Sequence, residues 1–277
     1  MNKLNILGAA STLLIAVGSS SVQAAPVDLG DWTAESYTSV TGFPIGSWVV
    51  AGDGSSVTQS NNGQPTFFYS DFDTFGSKFT GSMTSGGGDD DYIGFALGFN
   101  PGDSANGAAD YLLIDWKAGT QGFNFSAPSN TPGSTAYAGL AVSRVTGIPT
   151  ADEFWGHVDF TAAEGGGAGG VEELARGNTL GATGWVAGAT NEFTFDFGPG
   201  NLDVYVNSIL ELSIAGSFNN GRFGFYNFSQ AGVTYAGFEK EDGSFPGVPA
   251  VPVPAAFWLF GTALIGFVGF SRRRKVA

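Results

Sequence analysis

At 277 residues with 43% apolar content, the chain is long enough to bury one substantial core, and its 44 glycines and 25 phenylalanines favour turns and strands over helices. Of the 11 basic residues, Lys3, Arg272, Arg273, Arg274 and Lys275 lie near the ends, so residues 26–250 hold six against all 25 acidic ones, a net −19. That charge excludes nucleic-acid binding, which depends on Lys and Arg neutralising phosphates, and the absence of cysteine excludes disulfides, thiolate nucleophiles and cysteine-ligated zinc.

The chain opens with Lys3, an apolar region over 6–17, and small residues at Val22 and Ala24. This pattern predicts a secretory signal peptide, 1–24, cut after Ala24; the alternative is a membrane anchor, for which the apolar run is short. Residues 32–47 show no helical period and are expected to supply an edge strand. Strands over 47–51 and 57–60 flank Gly52-Asp53-Gly54 and predict a hairpin. A short strand is expected over 66–69, then a turn at Asp71-Phe72-Asp73 and a strand over 79–83. Tyr92–Phe99 and Tyr111–Trp116, joined by a loop of turn formers, predict neighbouring buried strands. A further strand is expected over 138–145.

The only histidine, His157, follows Phe154-Trp155-Gly156. No nucleophile-elbow sequence accompanies it, so packing or hydrogen bonding beside Trp155 is expected of it rather than catalysis. Glu164 to Gly170 is glycine-rich but lacks the Lys and Ser or Thr of a phosphate loop, and reads as a surface loop. One helical turn is expected over 171–175. Short strands at 185–187, 191–197, 202–206, 210–214, 222–228 and 233–238 have the spacing of an antiparallel sandwich. Phe193, Phe195 and Phe197 alternate onto one face, which should be core.

The most distinctive stretch is Gly86 to Phe99, where a glycine loop and three adjacent carboxylates, Asp89, Asp90 and Asp91, lead into an apolar strand. Three such groups side by side suit either a hard cation such as Ca²⁺ or a solvated acidic turn. The EF-hand pattern is half met: Gly94 takes the glycine place, but Ile93 and Asn100 stand where ligands belong. Asp71 and Asp73 are weaker metal-ligand candidates.

Asp89 to Phe99, Asp110 to Lys117 and Gly221 to Gln230, with Trp48, Phe154 to His157 and Gly184-Trp185 around and between them, resemble successive blocks of the thrombospondin C-terminal domain over roughly residues 46 to 240. The resemblance implies an all-β, lectin-like jelly-roll β-sandwich that binds calcium and serves adhesion outside cells. The chain departs from that family in having no calcium-repeat modules and none of its cysteines.

From Pro246 the composition changes to a proline-rich spacer, 246–254, followed by an uncharged apolar run over 255–270 and the basic cluster Arg272 to Lys275. As a helix, sixteen residues reach about 24 Å, nearly enough to cross a bilayer, with the basic end held in the cytoplasm. Val251-Pro252-Val253-Pro254-Ala255-Ala256-Phe257-Trp258, the apolar run and Arg272-Arg273-Arg274 resemble a PEP-CTERM sorting signal. That resemblance implies recognition by an exosortase in the inner membrane and release to the cell surface or extracellular matrix; Val253 stands in place of the usual glutamate.

The resulting expectation is a signal peptide at 1–24, a β-sandwich over 25–245, and a single C-terminal transmembrane helix within 255–277. The function expected is that of a non-enzymatic, exported, calcium-binding adhesion protein. The alternative is a carbohydrate-binding module that meets exopolysaccharide through exposed aromatics such as Trp116, Trp155 or Tyr226. A hydrolase would need a carboxylate pair in a cleft, for which Glu172, Glu173 and Asp159 offer no placed partners.

Overall fold

A computed structural model describes residues 24–125 and 129–243. The expected leader up to residue 23, the proline-rich spacer, the apolar run and the sorting motif Val251, Pro252, Val253, Pro254, Arg272, Arg273 and Arg274 lie outside them. Among the described residues no helix is long and apolar enough to cross a membrane.

Two antiparallel sheets pack face to face. The first runs Ile209–Ala215, Asn201–Val206, Thr190–Phe197, Ser77–Ser85, Val233–Asp242, Ser56–Gln59 and Trp48–Val50, with Ala25–Pro26 added beside Val233–Asp242. The second runs Ala168–Arg176, Gly139–Ile148, Asp110–Lys117, Tyr92–Phe99, Arg222–Phe228, Thr66–Asp73 and Thr33–Ser36. The expected hairpin forms, with Val50 opposite Val57, and Tyr92–Phe99 lies beside Asp110–Lys117 with Ile93 opposite Trp116. Thr33–Ser36 is an edge strand, as its lack of apolar period implies.

Burial explains the sequence pattern of the second sheet. Its inner face carries Ile93, Phe95, Leu97, Phe223 and Phe225 into the sandwich core, where they meet Phe193, Phe195, Phe197, Tyr235 and Phe238 of the first sheet. Its outer face carries Tyr92, Tyr111, Phe67, Tyr226 and Phe228 into a second apolar cluster, roofed by Phe154 and Trp155 of the short helix Ala151–Gly156. A strand covered on both faces has no reason to alternate, and all eight residues of Tyr92–Phe99 are buried. The three phenylalanines of Thr190–Phe197 do alternate, because the outer face of the first sheet is not roofed in this way.

Four expectations are corrected. Residues 171–175 form no helical turn: Ala168–Arg176 is a strand, with Val171 opposite Val145, because pairing with a buried neighbour overrides the local preference of Glu-Glu-Leu-Ala. The end of the glycine-rich run belongs to the same strand; a Cβ on Gly169 would strike the Thr146 carbonyl, so glycine there serves close strand approach. Asp71-Phe72-Asp73 continues the strand Thr66–Asp73 past an irregularity opposite Arg222 and Gly224. Trp185–Ala187 forms no strand; Trp185 is held instead by its indole Nε1, which donates to the Asp91 carbonyl at 2.9 Å.

Candidate functional site

The acidic loop, the end of the strand Asp110–Lys117 and the roof over the second cluster converge at one end of the second sheet. Gly87 and Gly88, at φ 82° and 98°, let the chain turn back before Asp89, a conformation closed to most side chains. The amide of Ala118 donates to the Asp90 carbonyl at 3.0 Å, extending the ladder past Tyr92. In this register Asp115 and Lys117 point to the same outer face as Tyr92. Gly94 sits mid-strand, where a Cβ would run into the Ile114 carbonyl, so the half-met EF-hand spacing does not correspond to a calcium loop.

The three carboxylates offer ligand atoms within 4.8 Å of one another, and they are the one such acidic group of three or more among the described residues. Their oxygens suit a hard cation. The sequence gives no direct sign of what lies beneath them. Lys117, with no exposed side-chain surface, brings its Nζ to 2.7 Å from Asp91 Oδ1, 3.2 Å from Asp90 Oδ1, 3.1 Å from the Asp90 carbonyl and 3.4 Å from Gln121 Oε1. The same ammonium stands 4.7 Å from the centre of the Trp155 ring. Lys117 therefore supplies one positive charge to the acidic loop from within the protein. Burial pushes the Asp91 carboxyl up, against the opposing pull of this ammonium. Asp89 is exposed at the mouth; its Oδ2 accepts from Asn62 Nδ2 at 2.6 Å and its Oδ1 from the Asp90 amide at 3.0 Å.

Asp71 and Asp73 do not join this group. Arg222 Nη1 lies 3.4 Å from Asp73 Oδ1 and donates to the Asp71 carbonyl. Arg222 pairs with Phe99, at the other end of the strand that begins beside Asp91, so the two acidic sites stand roughly 25 Å apart.

The short helix is anchored at both ends. Thr150 and Glu153 form a reciprocal capping box, and His157 closes the helix in the left-handed conformation. Asp152 ties the neighbouring ribbon, Gln121–Phe123 with Ser134–Ala136, to this helix by accepting from the Phe125 amide at 2.9 Å and from the Thr131 hydroxyl. Trp155 Nε1 donates to the Gln121 carbonyl at 3.1 Å, and Tyr92 Oη donates to the Trp155 carbonyl at 2.8 Å.

Between the ribbon, the acidic loop and the segment carrying Val40 and Phe43 lies a cavity of about 410 Å³. Asn62, Asp89, Asp91, Gln121, Asn124 and Ser229 give it polar edges, and Phe43, Phe123, Phe125 and Trp155 give it aromatic walls. Phe125 packs edge-on to Trp155 at 5.4 Å and to Phe123 at 4.7 Å. Phe123 is 48% exposed, whereas Trp116, Trp155 and Tyr226, the expected surface aromatics, are 4%, 1% and 0% exposed. They are packing residues, because both faces of the second sheet are covered; of the three, Trp155 alone reaches the cavity, as part of its wall.

Behind the cavity, His157 bridges two carboxylates. Its Nε2 lies 3.0 Å from Asp115 Oδ2 and its Nδ1 3.4 Å from Glu173 Oε2, and Arg176 makes a two-pronged contact with Glu173 at 2.8 and 2.9 Å. Burial opposes the imidazolium, but Asp115 and Glu173 outweigh it and lift His157 to about 9. Glu173 is desolvated yet held down at about 2 by His157 and Arg176. Packing or hydrogen bonding is the role expected of His157, and it does both, its ring also packing 5.3 Å from that of Tyr92. Its partners were not legible, although Asp115 and Lys117 share one strand face with the apolar Tyr111 and Leu113, a pattern that signals buried charges in need of partners.

No family model matches the chain, and no curated protein matches it. Solved structures do resemble it in shape. A carbohydrate-binding module, CBM66, from Bacillus subtilis is 13% identical over 73% of this chain and 97% of its own, with a TM-score of 0.45. A Bacillus subtilis protein of unknown function with a galectin-like fold is 12% identical over 80% and 96%, with a TM-score of 0.48. The exoplasmic/lumenal domain of VIP36, in a Ca²⁺- and mannose-bound form, is 10% identical over 79% and 85%, with a TM-score of 0.43. These are distant similarities of overall shape.

Proposed function

We propose that the chain is an exported, non-enzymatic glycan-binding module whose cavity beside the acidic loop receives a sugar of an extracellular polysaccharide. The observation that carries this reading is the combination of aromatic walls with amide and carboxylate edges in one open cavity. A pyranose has apolar C–H faces and a rim of hydroxyl groups, so it needs both kinds of surface. A hydrolase is disfavoured. The two carboxylates lining the cavity, Asp89 and Asp91, lie two residues apart in one loop, and Asp91 is engaged by Lys117, so no carboxylate pair flanks a scissile bond from opposite sides.

Export rests on the expected signal peptide. Passage through the inner membrane and release by an exosortase rest on the C-terminal resemblance, with the cell surface or extracellular matrix as the destination. Glycan-array binding by the full chain should therefore be detectable, and Phe123→Ala should weaken it by about tenfold or more, because Phe123 is the exposed aromatic of the cavity. Equal binding by the variant would remove this site from the reading.

A second reading, calcium-dependent adhesion as the thrombospondin resemblance implies, is favoured by the Asp89, Asp90 and Asp91 cluster. Asp89 and the half-exposed Asp90 would hold the ion, which would stiffen the loop and stabilise the fold by mass action. On this reading calorimetry shows a melting temperature several degrees higher in millimolar calcium than in chelator, with the difference lost in Asp89→Ala. Coincident melting curves would eliminate it.

A further inference from the structure

We propose that the cavity selects sugars bearing a free amino group and rejects acidic sugars, an inference that rests on the glycan-binding reading and adds the class of ligand. Asp89 and Asp91 line the cavity, and among the described residues no Lys or Arg does. Elsewhere among the described residues the cations are also committed: Arg144 pairs with Asp110, Arg176 with Glu173, Arg222 with Asp73 and Lys240 with Asp242, while Lys78 lies on the first sheet. Lys117 is nearest the cavity, but it is fully buried and held by Asp90 and Asp91. A uronate or sulfated sugar would thus lose hydration and find no cation, the charged groups among the described lining residues being the carboxylates of Asp89 and Asp91.

An ammonium group finds the reverse. The Asp89 carboxylate is fixed at the mouth by Asn62 and the Asp90 amide, and those two bonds leave acceptor capacity on both oxygens. The exposed ring of Phe123 attracts a cation through its quadrupole, as the buried Trp155 does for Lys117 from within the protein. The sugar ring supplies the apolar face and the amine supplies the charge.

The test is titration calorimetry of the full chain in chelator-containing buffer, at mildly acidic pH and physiological ionic strength. The probes are a glucosamine tetramer, its fully N-acetylated neutral counterpart and a galacturonate tetramer. The amino form is expected to bind about tenfold tighter than the neutral one, and the acidic form not at all. Asp89→Asn should bring the amino form to the affinity of the neutral form, Phe123→Ala should weaken both, and Asp203→Asn, on a distant strand, should keep the full preference.

Binding of the galacturonate tetramer, or a neutral tetramer bound as tightly as the amino one, overturns the inference while leaving a sugar site in place. A preference that persists in Asp89→Asn also overturns it, since diffuse attraction to an acidic protein would then be the cause. Failure of all three probes to bind, together with an empty glycan array, overturns the glycan-binding reading and this inference with it.

Discussion

Replacing His157 with leucine is expected to lower the unfolding free energy by about 3–5 kcal/mol at neutral pH, the cost of leaving a buried carboxylate without its partner. Asp115 is wholly buried and His157 is its ion-pair partner, while Glu173 keeps Arg176. The pH dependence identifies the cause. A folded-state value near 9 against an ordinary 6.5 means that the His157 contribution is complete below pH 6.5 and is lost as pH rises through 9. Glu173, held at about 2 against 4.5, acts in the acid range: its contribution is present above 4.5 and lost as pH falls through 2. Asp115, pushed up by burial, has the opposite sign to Glu173 and blunts the acid limb. Urea unfolding at a series of pH values should therefore show wild-type stability falling between neutrality and pH 10, with a flatter profile in His157→Leu. Parallel profiles would show that the imidazolium does not carry the stability.

The second large effect is expected at Lys117. Lys117→Met keeps the length of the side chain but removes the ammonium from between Asp90 and Asp91, with an expected loss of about 3 kcal/mol. Asp90 is half exposed and recovers hydration, so most of the loss should come from Asp91, whose side chain is only 5% exposed. The double variant Lys117→Met/Asp91→Asn should therefore recover a large part of it, and a double-mutant cycle by denaturant titration should return a coupling of about 2 kcal/mol. Wild-type stability in Lys117→Met, or strict additivity in the cycle, would mean that the ammonium does not organise the acidic loop. Expected values at both sites rest on the same physics: a buried charge is tolerated because its partner is built in, and removing one member costs more than the pair contributes.

Local chemistry in the sequence determined much of the architecture. Alternating phenylalanines at 193, 195 and 197, the Gly52-Asp53-Gly54 turn and the short strand rhythm were sufficient for an antiparallel sandwich, because side-chain period and turn geometry depend on nearest neighbours. The acidic loop was visible for the same reason, as three carboxylates stand consecutively. Tertiary structure alone decided what those carboxylates face. Lys117 lies 26 residues beyond Asp91, Trp155 lies on a helix from another part of the chain, and Phe123 is carried there by a ribbon tied to Asp152. It also decided that Trp116, Trp155 and Tyr226 are buried: Trp116 faces the other sheet, Tyr226 lies under the short helix, and Trp155 is the part of that helix that packs down on the sheet, none of which a segment can signal on its own. Residues 171–175 were misread for that reason too: their helical composition is a matter of a few tenths of a kcal/mol per residue, which a ladder of strand pairing and the burial of Val171 exceed.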